Sequence, residues 1–282
     1  MSSNDRGVSE AIGFMLIFSI IIAGIGLVTL YGYPLLLQQQ VSADEKIMEK
    51  NMIVLQNDFK SLAYKTVPFK ETSLKIGGGS LTVYNSSFNT PSSTLQINNG
   101  VVASYLPPFS VNTNFTPGEL RYESVSAQTD ISLQNGAVVM RPRVTSGSVM
   151  LAEPRWFYDS TTTTNTMVIN LINITSTELM AKEGIGTVQM MLVGEPYYNE
   201  SQIDPGNEIE IVYIPDPAQD YSVAWDNYFK KTFTNQPGLT LTLTPSEIPG
   251  TGVPITYRLK NDHPTEKMIL VIKIFQVNIK SI

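Results

Sequence analysis

The sequence contains no cysteine and only one histidine among its 282 residues. Without cysteine the chain has no disulfide bond, no thiol nucleophile and no thiolate ligand for a metal ion. The single histidine, His263, lies in the turn-like stretch Asn261–Pro264. A lone histidine in a turn is typical of a solvated surface residue, whereas acid–base catalysis needs a histidine that is oriented by a partner in a cleft.

Basic residues are scarce as well. The chain has 19 lysines and arginines against 25 aspartates and glutamates, a formal net charge of −6, and no basic cluster stands out along the sequence. Nucleic-acid binding depends on clustered lysine and arginine that neutralise phosphates. We therefore expect no nucleic acid among the partners.

Motifs that would indicate an enzyme are missing from the sequence: there is no Gly-x-Ser-x-Gly elbow, no phosphate-binding loop and no His-x-x-x-His pair. Gly77–Gly79 lies between two predicted strands, which indicates a turn. Asp204, Glu208 and Glu210 lie close together and carry the oxygen ligands that calcium prefers, but their spacing matches no calcium loop. We predict no catalytic residue, no metal site, no cofactor and no enzymatic activity.

A long apolar segment is the most informative feature that the sequence does contain. Ala11–Ala43 has no charged side chain, and its first part, Ala11–Leu30, is almost entirely apolar. At 1.5 Å per residue, about twenty helical residues reach roughly 30 Å, the thickness of the hydrocarbon core of a bilayer. Tyr31 and Tyr33 follow, where an interfacial aromatic belt would lie.

Three interpretations of this segment are open. It is a cleaved secretory signal, a permanent membrane anchor, or a helix that passes from a membrane into the core of a protein filament. A cleaved signal normally has an apolar core of about 7–15 residues, and this core is longer.

The residues before the apolar segment favour the third interpretation. They resemble the class III signal of archaeal type IV pilins and archaellins, whose N-termini read R-[GA]-V-S-x-x-[IL]-G. The matching residues are Arg6, Gly7, Val8, Ser9, Ile12 and Gly13. The resemblance implies that a leader peptidase removes residues 1–7 by cutting between Gly7 and Val8 and leaves the apolar helix on the mature protein.

The resemblance also implies partners and a location. The partners are copies of this chain or related pilins, the membrane, the leader peptidase and a pilus assembly platform. The location is the cell surface, either as an anchor in the cytoplasmic membrane with an extracellular head or within an extracellular filament. The expected assembly residues on the helix are Glu10, Ile12, Phe14, Leu16, Phe18, Ser19 and Ala23.

One position departs from the pattern of bacterial pilins, which carry a glutamate at the fifth mature residue. Here Glu10 would be the third and Ile12 the fifth. Two roles of Glu10 therefore stay open: a partner of a neighbour's N-terminal amine, or a carboxylate at the level of the lipid headgroups.

An apolar stripe continues after the apolar segment. It consists of Val41, Met48, Met52, Leu55, Phe59 and Leu62, at the spacing of one helix face. We predict one helix over residues 8–64, with a membrane or filament part at 11–37, a bend near Pro34 and an amphipathic part at 41–64. The stripe either packs against the rest of the chain or forms a coiled coil, and two heptads are too few to decide.

Residues 65–282 form the predicted head domain, in which short strand patterns alternate with turn signals. Two Asn-Gly pairs predict hairpins: one around Asn99-Gly100, which joins Thr94–Asn98 to Val101–Tyr105, and one around Asn135-Gly136, which joins Asp130–Gln134 to Ala137–Met140. A third hairpin is predicted around Gly77–Gly79, between strands Leu74–Ile76 and Leu81–Tyr84.

The remaining predicted strands follow the same texture of β-branched and aromatic residues. They are Thr166–Ile174, Thr187–Val193, Glu208–Ile214, Leu239–Leu243, Ile255–Leu259 and Met268–Ile279. One helix is predicted at Tyr221–Phe233, capped by Asp220, with Trp225 as a core residue. The expected fold class is α+β: a long N-terminal hydrophobic helix and a mainly antiparallel, β-sandwich-like head, as in pilins.

Four Asn-x-Ser/Thr sequons begin at Asn85, Asn114, Asn173 and Asn199. About three are expected by chance in a chain of this composition, so the sequons only permit surface glycosylation. We expect Asn85 and Asn114, beside predicted turns, to be the accessible ones and Asn173 to pack inward.

Two functions remain open at this point. The first is a pilin-like structural subunit of an archaeal type IV pilus-like filament, which assembles through the N-terminal helix. The second is a membrane-anchored surface protein that does not polymerise, or a minor pilin with a binding or adhesive head.

Overall fold

The computed structural model describes residues 4–65, 67–86, 93–98, 114–161, 164–244 and 247–282. The chain divides into two compact units, Met1–Asp44 and Glu45–Ile282. The second is called the head unit below, and it includes residues 45–64 of the predicted helix as well as the predicted head domain. The fold class is α+β, as expected from the sequence.

The N-terminal part is helical throughout its described length. Its elements are α1 (Asn4–Leu27), a π-helical turn (Val28–Gly32) and α2 (Tyr33–Lys65). The π turn ends two residues before Pro34, which has no N–H to donate and whose ring crowds the carbonyl four residues earlier. In the wider turn the N–H of Tyr33 bonds the carbonyl of Val28. The irregularity predicted near Pro34 is therefore a π turn inside a helix that continues on both sides.

Fourteen strands and one further helix are described in the head unit. The strands are β1 (Phe69–Tyr84), β2 (Thr94–Asn98), β3 (Glu119–Ser124), β4 (Thr129–Gln134), β5 (Ala137–Pro142), β6 (Val149–Ala152), β7 (Phe157–Ser160), β8 (Asn165–Ser176), β9 (Met180–Leu192), β10 (Tyr197–Ile203), β11 (Glu208–Ile214), β12 (Leu239–Leu243), β13 (Ile255–Asn261) and β14 (Met268–Ser281). The helix is α3 (Ser222–Phe233).

These strands form two sheets. The large sheet has the order β6-β5-β4-β3-β1-β9-β14-β8-β7, with β10 beside β14 as well, and the small sheet has the order β12-β13-β11-β2. All pairs are antiparallel except β8 with β14, which is parallel. Strands β9 and β10 both lie along the same side of β14, one after the other.

The large sheet curls. The N–H of Ile172 in β8 donates to Oδ1 of Asn135, in the turn after β4, over 2.9 Å. Four strands separate β4 from β8 in the sheet order, so these strands would lie roughly 24 Å apart in a flat sheet. Gln56 of α2 lies in the curl and donates to the carbonyls of Gly136 at 2.8 Å and Glu153 at 2.9 Å.

The concave face of the large sheet encloses the C-terminal half of α2. Five residues of the predicted stripe are completely buried there: Met48, Met52, Leu55, Phe59 and Leu62. They share one apolar core with residues of β1, β3, β4, β5, β8, β9 and β14. The interpretation that the stripe packs against its own chain is therefore confirmed, and the coiled-coil alternative is wrong for this face.

A second apolar core lies between the large sheet, the small sheet and α3. Helix α3 packs against β6 and β7, which are the two ends of the large sheet, and against β12 and β13 of the small one. Strand β14 serves both cores: Met268, Leu270 and Ile272 belong to this one, and alternate residues from Phe275 onward belong to the core around α2. Trp225 is a core residue as predicted, with its ring 5.9 Å from that of Trp156.

The hairpin predicted at Asn135-Gly136 is confirmed. Strands β4 and β5 pair through it, and Asn135 and Gly136 have φ angles of 47° and 73°, the positive values that such a tight turn requires. For the hairpin predicted at Asn99-Gly100, strand β2 is present and pairs with β11. The turn itself and Val101–Tyr105 lie outside the described residues.

The hairpin predicted at Gly77–Gly79 is wrong. Strand β1 continues through the three glycines without reversing direction. Gly78 has a φ angle of 66°, and the pairing with β9 shifts register between Ile76 and Leu81, which indicates a bulge. A Cβ added to Gly79 would lie 2.3 Å from the carbonyl oxygen of Glu123 in β3. The glycine run therefore permits a close approach of two strands, where the sequence pattern indicated a chain reversal.

Helix α3 begins one residue later than predicted, and Asp220 precedes its N-cap residue, Tyr221. The Asp220 carboxylate still bonds the start of the helix, because its Oδ1 accepts the N–H of Ser222 at 2.8 Å. Its Oδ2 accepts the N–H of Gly252 at 2.8 Å. The predicted cap thus also ties α3 to the loop before β13.

We expect Leu55→Ala to lower the free energy of unfolding by about 2–5 kcal/mol, because it opens a cavity in the core around α2. The neighbouring Val54 is 47% exposed, and Val54→Ala should change the value by less than about 0.5 kcal/mol. Denaturant unfolding of the full chain in detergent, followed by tryptophan fluorescence, measures both. Equal losses for the two variants would contradict the described position of α2.

Candidate functional site

The apolar helix α1 presents its side chains to the surroundings. Among the expected assembly residues, Ile12, Phe14, Leu16 and Phe18 are each more than half exposed. Glu10, Ser19 and Ala23 are exposed too, and the Ser19 hydroxyl donates to the Met15 carbonyl of its own helix at 2.7 Å. The helical stretch Glu10–Lys65, which contains most of α1, is long and apolar enough to span a membrane by length and composition. Exposed apolar surface of this extent marks a membrane or protein contact.

Three glycines of the helix lie in open surroundings among the described residues. A Cβ added at Gly13, Gly24 or Gly26 would meet no described atom within 4 Å outside the local helix backbone. Glycine also disfavours a helix by about 1 kcal/mol relative to alanine. Small residues of this kind allow another helix to approach closely.

The predicted processing residues, Arg6, Gly7 and Val8, lie within α1. Their side chains lie outside the described part of the chain, so cleavage after Gly7 stays a prediction.

The four sequons differ in accessibility. Asn85 is only 5% exposed and donates to the carbonyl of Ser176, so the expectation that it is accessible is wrong. Asn114 is exposed, as expected. Asn173 is half-buried, and its Oδ1 is inaccessible to solvent. Asn199 is half-buried, and its Oδ1 accepts the hydroxyl of Ser201 at 3.0 Å.

A buried ionic cluster lies on β3 and β4, and the sequence analysis missed it. Its centre is Arg121, whose side chain is 5% exposed. The guanidinium of Arg121 bonds Glu119, and it lies 3.3 Å from the carboxylate of Glu123 and 3.8 Å from that of Asp216. The Tyr84 ring covers it, with the ring centroid 4.3 Å from Cζ. The alternation Glu-x-Arg-x-Glu on one strand face was the only signal in the sequence.

A second arginine completes the cluster. Arg143 binds Asp130 through Nη2 at 2.5 Å and Nε at 2.7 Å, and it approaches Glu123 at 3.6 Å. The cluster thus holds four carboxylates and two guanidinium groups. Asp216 belongs to the segment before α3, so the cluster ties the large sheet to that segment. Within the described ranges, no group of His, Asp or Glu is arranged to hold a metal ion.

Burial and charge act against each other in this cluster. Burial by itself would lower the pKa of Arg121, but the charge of Glu119 and its hydrogen bond outweigh burial and raise that pKa. Burial raises the pKa of Asp130 above its ordinary value, although its bond to Arg143 opposes the rise. Both directions are typical of a structural ion-pair network.

An open groove is the second feature that sequence reasoning missed. It lies on the large sheet beyond the end of α2 and has a volume of about 580 Å³. We call it the Tyr64 groove and define it by Tyr64, Arg155, Phe157, Tyr197, Tyr198 and Lys273. Its floor includes Val271 and Lys273 of β14, on the face that carries Phe275 into the core around α2. The groove is therefore the part of the concave face that α2 leaves uncovered.

Two cations lie against aromatic rings in this groove. Cζ of Arg155 is 4.8 Å from the ring centroid of Tyr64, and Nζ of Lys273 is 5.7 Å from that of Tyr198. Burial raises the pKa of Tyr64 to about 12, although the charge of Arg155 opposes the rise. Burial, and secondly the charge of Arg155, lower the pKa of Lys60.

A family model described as a family of unknown function, DUF7289, matches residues 6–240. Comparison with curated proteins and with solved structures gave no match.

We expect Arg121→Met to lower the free energy of unfolding by about 3–5 kcal/mol, because it leaves Glu119 and Asp216 buried without their partner. Arg258→Met is the matched control: Arg258 also contacts two carboxylates, Glu208 and Glu210, but its side chain is 39% exposed. The control should lose only about 0–1 kcal/mol. Denaturant unfolding of both variants measures the difference, and similar losses would argue against the buried cluster.

Proposed function

The chain belongs to the DUF7289 family, and because that family has no established function, we propose one from the helix and the head unit. We propose that the protein is a pilin-like structural subunit of a cell-surface filament, and that it assembles through its apolar N-terminal helix. The observation that carries the proposal is a helix that is apolar and exposed on every side, directly preceded by residues that resemble a class III signal.

The energetics support two successive environments for this helix. Apolar surface gains about 25 cal/mol per Å² when it leaves water, so an exposed helix of this length needs lipid or protein around it. Transfer from lipid to a helix bundle adds little hydrophobic gain and depends on close packing. Gly24 and Gly26 contact no described residue outside their own helix, and they would allow a neighbouring helix to approach closely.

A second candidate function is a surface protein that stays in the membrane, or a minor subunit, with a head that binds a ligand. The Tyr64 groove is the specific observation in its favour. A head that only formed the outer surface of a filament would need no open groove lined by cations and aromatic rings.

Sheared surface appendages from cells that express the full chain test the first proposal. We expect electron microscopy to show filaments in which this chain is the abundant protein by mass spectrometry, with Val8 as its N-terminal residue. Recovery of the chain only from membranes, with an intact N-terminus at Met1, would overturn the filament proposal and favour the anchored alternative.

Two variants sharpen this test. Deletion of Ala11–Leu30 should abolish both membrane retention and filaments, since the head unit then has nothing to hold it. Gly24→Leu should leave membrane retention intact and reduce filaments at least about tenfold, because a leucine keeps the helix apart from a close neighbour. Ile25→Leu is the matched control and should assemble normally. Normal filaments from the deletion variant would contradict the proposed role of the helix.

A further inference from the structure

We propose that the Tyr64 groove binds an acidic saccharide, whose sugar rings stack on the groove's aromatic side chains and whose carboxylates pair with Arg155 and Lys273. This inference concerns the head unit alone and holds for a head on a filament and for a head on a membrane anchor. It therefore goes beyond the assembly role and is tested independently of it.

The shape of the groove suits a ligand of a few sugar units. Its volume of about 580 Å³ is within the range of roughly 300–1,000 Å³ that is common for small-molecule sites. It is an open groove and not an enclosed cavity. An open groove accepts part of a longer chain, whereas an enclosed cavity accepts only a whole small molecule.

Aromatic rings supply the apolar part of the site. Phe157 is 42% exposed and Tyr198 is 54% exposed, although both lie on a well-packed sheet. The faces of aromatic rings are electron-rich, so they attract the weakly positive C–H groups on one side of a pyranose. Exposed aromatic surface forgoes the free energy of burial, so a ligand that covers these two rings would gain it.

The cations supply the charged part. Arg155 and Lys273 line the groove, and neither makes an ion pair with any carboxylate of the described residues within 4.0 Å. The guanidinium of Arg155 is held over Tyr64 by its cation–π contact, which fixes its orientation before a ligand arrives. A planar guanidinium forms paired hydrogen bonds with a carboxylate.

The charge of the groove contrasts with that of the chain. An adjoining hollow, which shares Tyr64 and Arg155 with the groove, adds Lys60 and Lys65. Its one acidic residue, Glu153, is already bound to Lys231 at 2.5 Å. Glu200, whose carboxylate accepts the hydroxyl of Tyr198 at 2.5 Å, is a second acidic residue beside the groove. Four basic side chains against these two carboxylates still leave a positive balance on a chain of formal net charge −6, and that balance favours an anionic ligand over a neutral one.

An acidic peptide is the main competing ligand, because it would also satisfy Arg155 and Lys273. It would leave the exposed faces of Phe157 and Tyr198 without a stacking partner unless aromatic residues accompanied its charges. An acidic saccharide would stack on the aromatic rings and also pair with Arg155 and Lys273, so we favour it.

Binding of defined oligosaccharides to the full chain in detergent, measured by calorimetry, tests the proposal. We expect an α-1,4-linked galacturonate oligomer to bind, and a galactose oligomer of the same linkage and length to bind at least about tenfold more weakly, because it lacks the carboxylates. Raising the salt from about 0.05 to about 0.5 M should weaken the binding of the acidic oligomer, since salt screens partly exposed charges.

Variants assign the binding to the groove. Lys273→Gln and Arg155→Gln should each weaken binding of the acidic oligomer about tenfold. Lys280→Gln is the matched control, because Lys280 is an exposed lysine on the same strand and lies outside the groove.

Tyr198→Ala should weaken binding and Tyr198→Phe should preserve it, which separates ring stacking from the hydrogen bond of the Tyr198 hydroxyl to Glu200. Thermal unfolding confirms that each variant is folded.

Three results would overturn the proposal. They are the absence of binding to the acidic oligomer, equal binding of the neutral oligomer, and tighter binding of a polyglutamate peptide of matched charge. None of these results depends on whether the chain forms filaments, so failure here is distinguishable from failure of the assembly role.

Discussion

The head unit depends on the burial of one face of α2 inside the curled large sheet. Five large apolar side chains of that helix are completely buried among residues from seven strands. The strands of a curled sheet cannot fill their own concave side, and a single helix cannot bury its stripe in water, so each element supplies what the other lacks. Because α2 continues directly from the apolar helix, its burial also attaches the head unit to a segment suited to lipid or to neighbouring helices.

The outer layer is attached by a different kind of contact. The small sheet and α3 bury apolar residues against the other side of the large sheet, and Arg121 joins β3 to Asp216 before α3. A buried ion cluster adds little net stability compared with apolar packing, but it accepts only one arrangement of its partners. We infer that the contact between Arg121 and Asp216 helps to position the segment before α3 on the large sheet, while most of the stability of the outer layer comes from apolar burial.

The end of α2 at Lys65 has a functional consequence. The concave face extends beyond that point, and its uncovered part is the Tyr64 groove. The groove therefore arises because strands β8 and β14 extend beyond the end of the helix, and its cations form no ion pair within 4.0 Å with any described carboxylate.

Periodicity and turn residues act over a few neighbouring positions, so the sequence alone predicts the apolar helix, its amphipathic continuation, most strands and the Asn135-Gly136 hairpin. The role of Gly77–Gly79 depends instead on the folded chain, because Glu123 approaches these glycines from another strand. Only the tertiary structure decided the burial of Asn85, the cluster around Arg121 and the groove between Tyr64 and Lys273. These features join residues that are far apart in the chain, and no local pattern records which strands a curled sheet brings together.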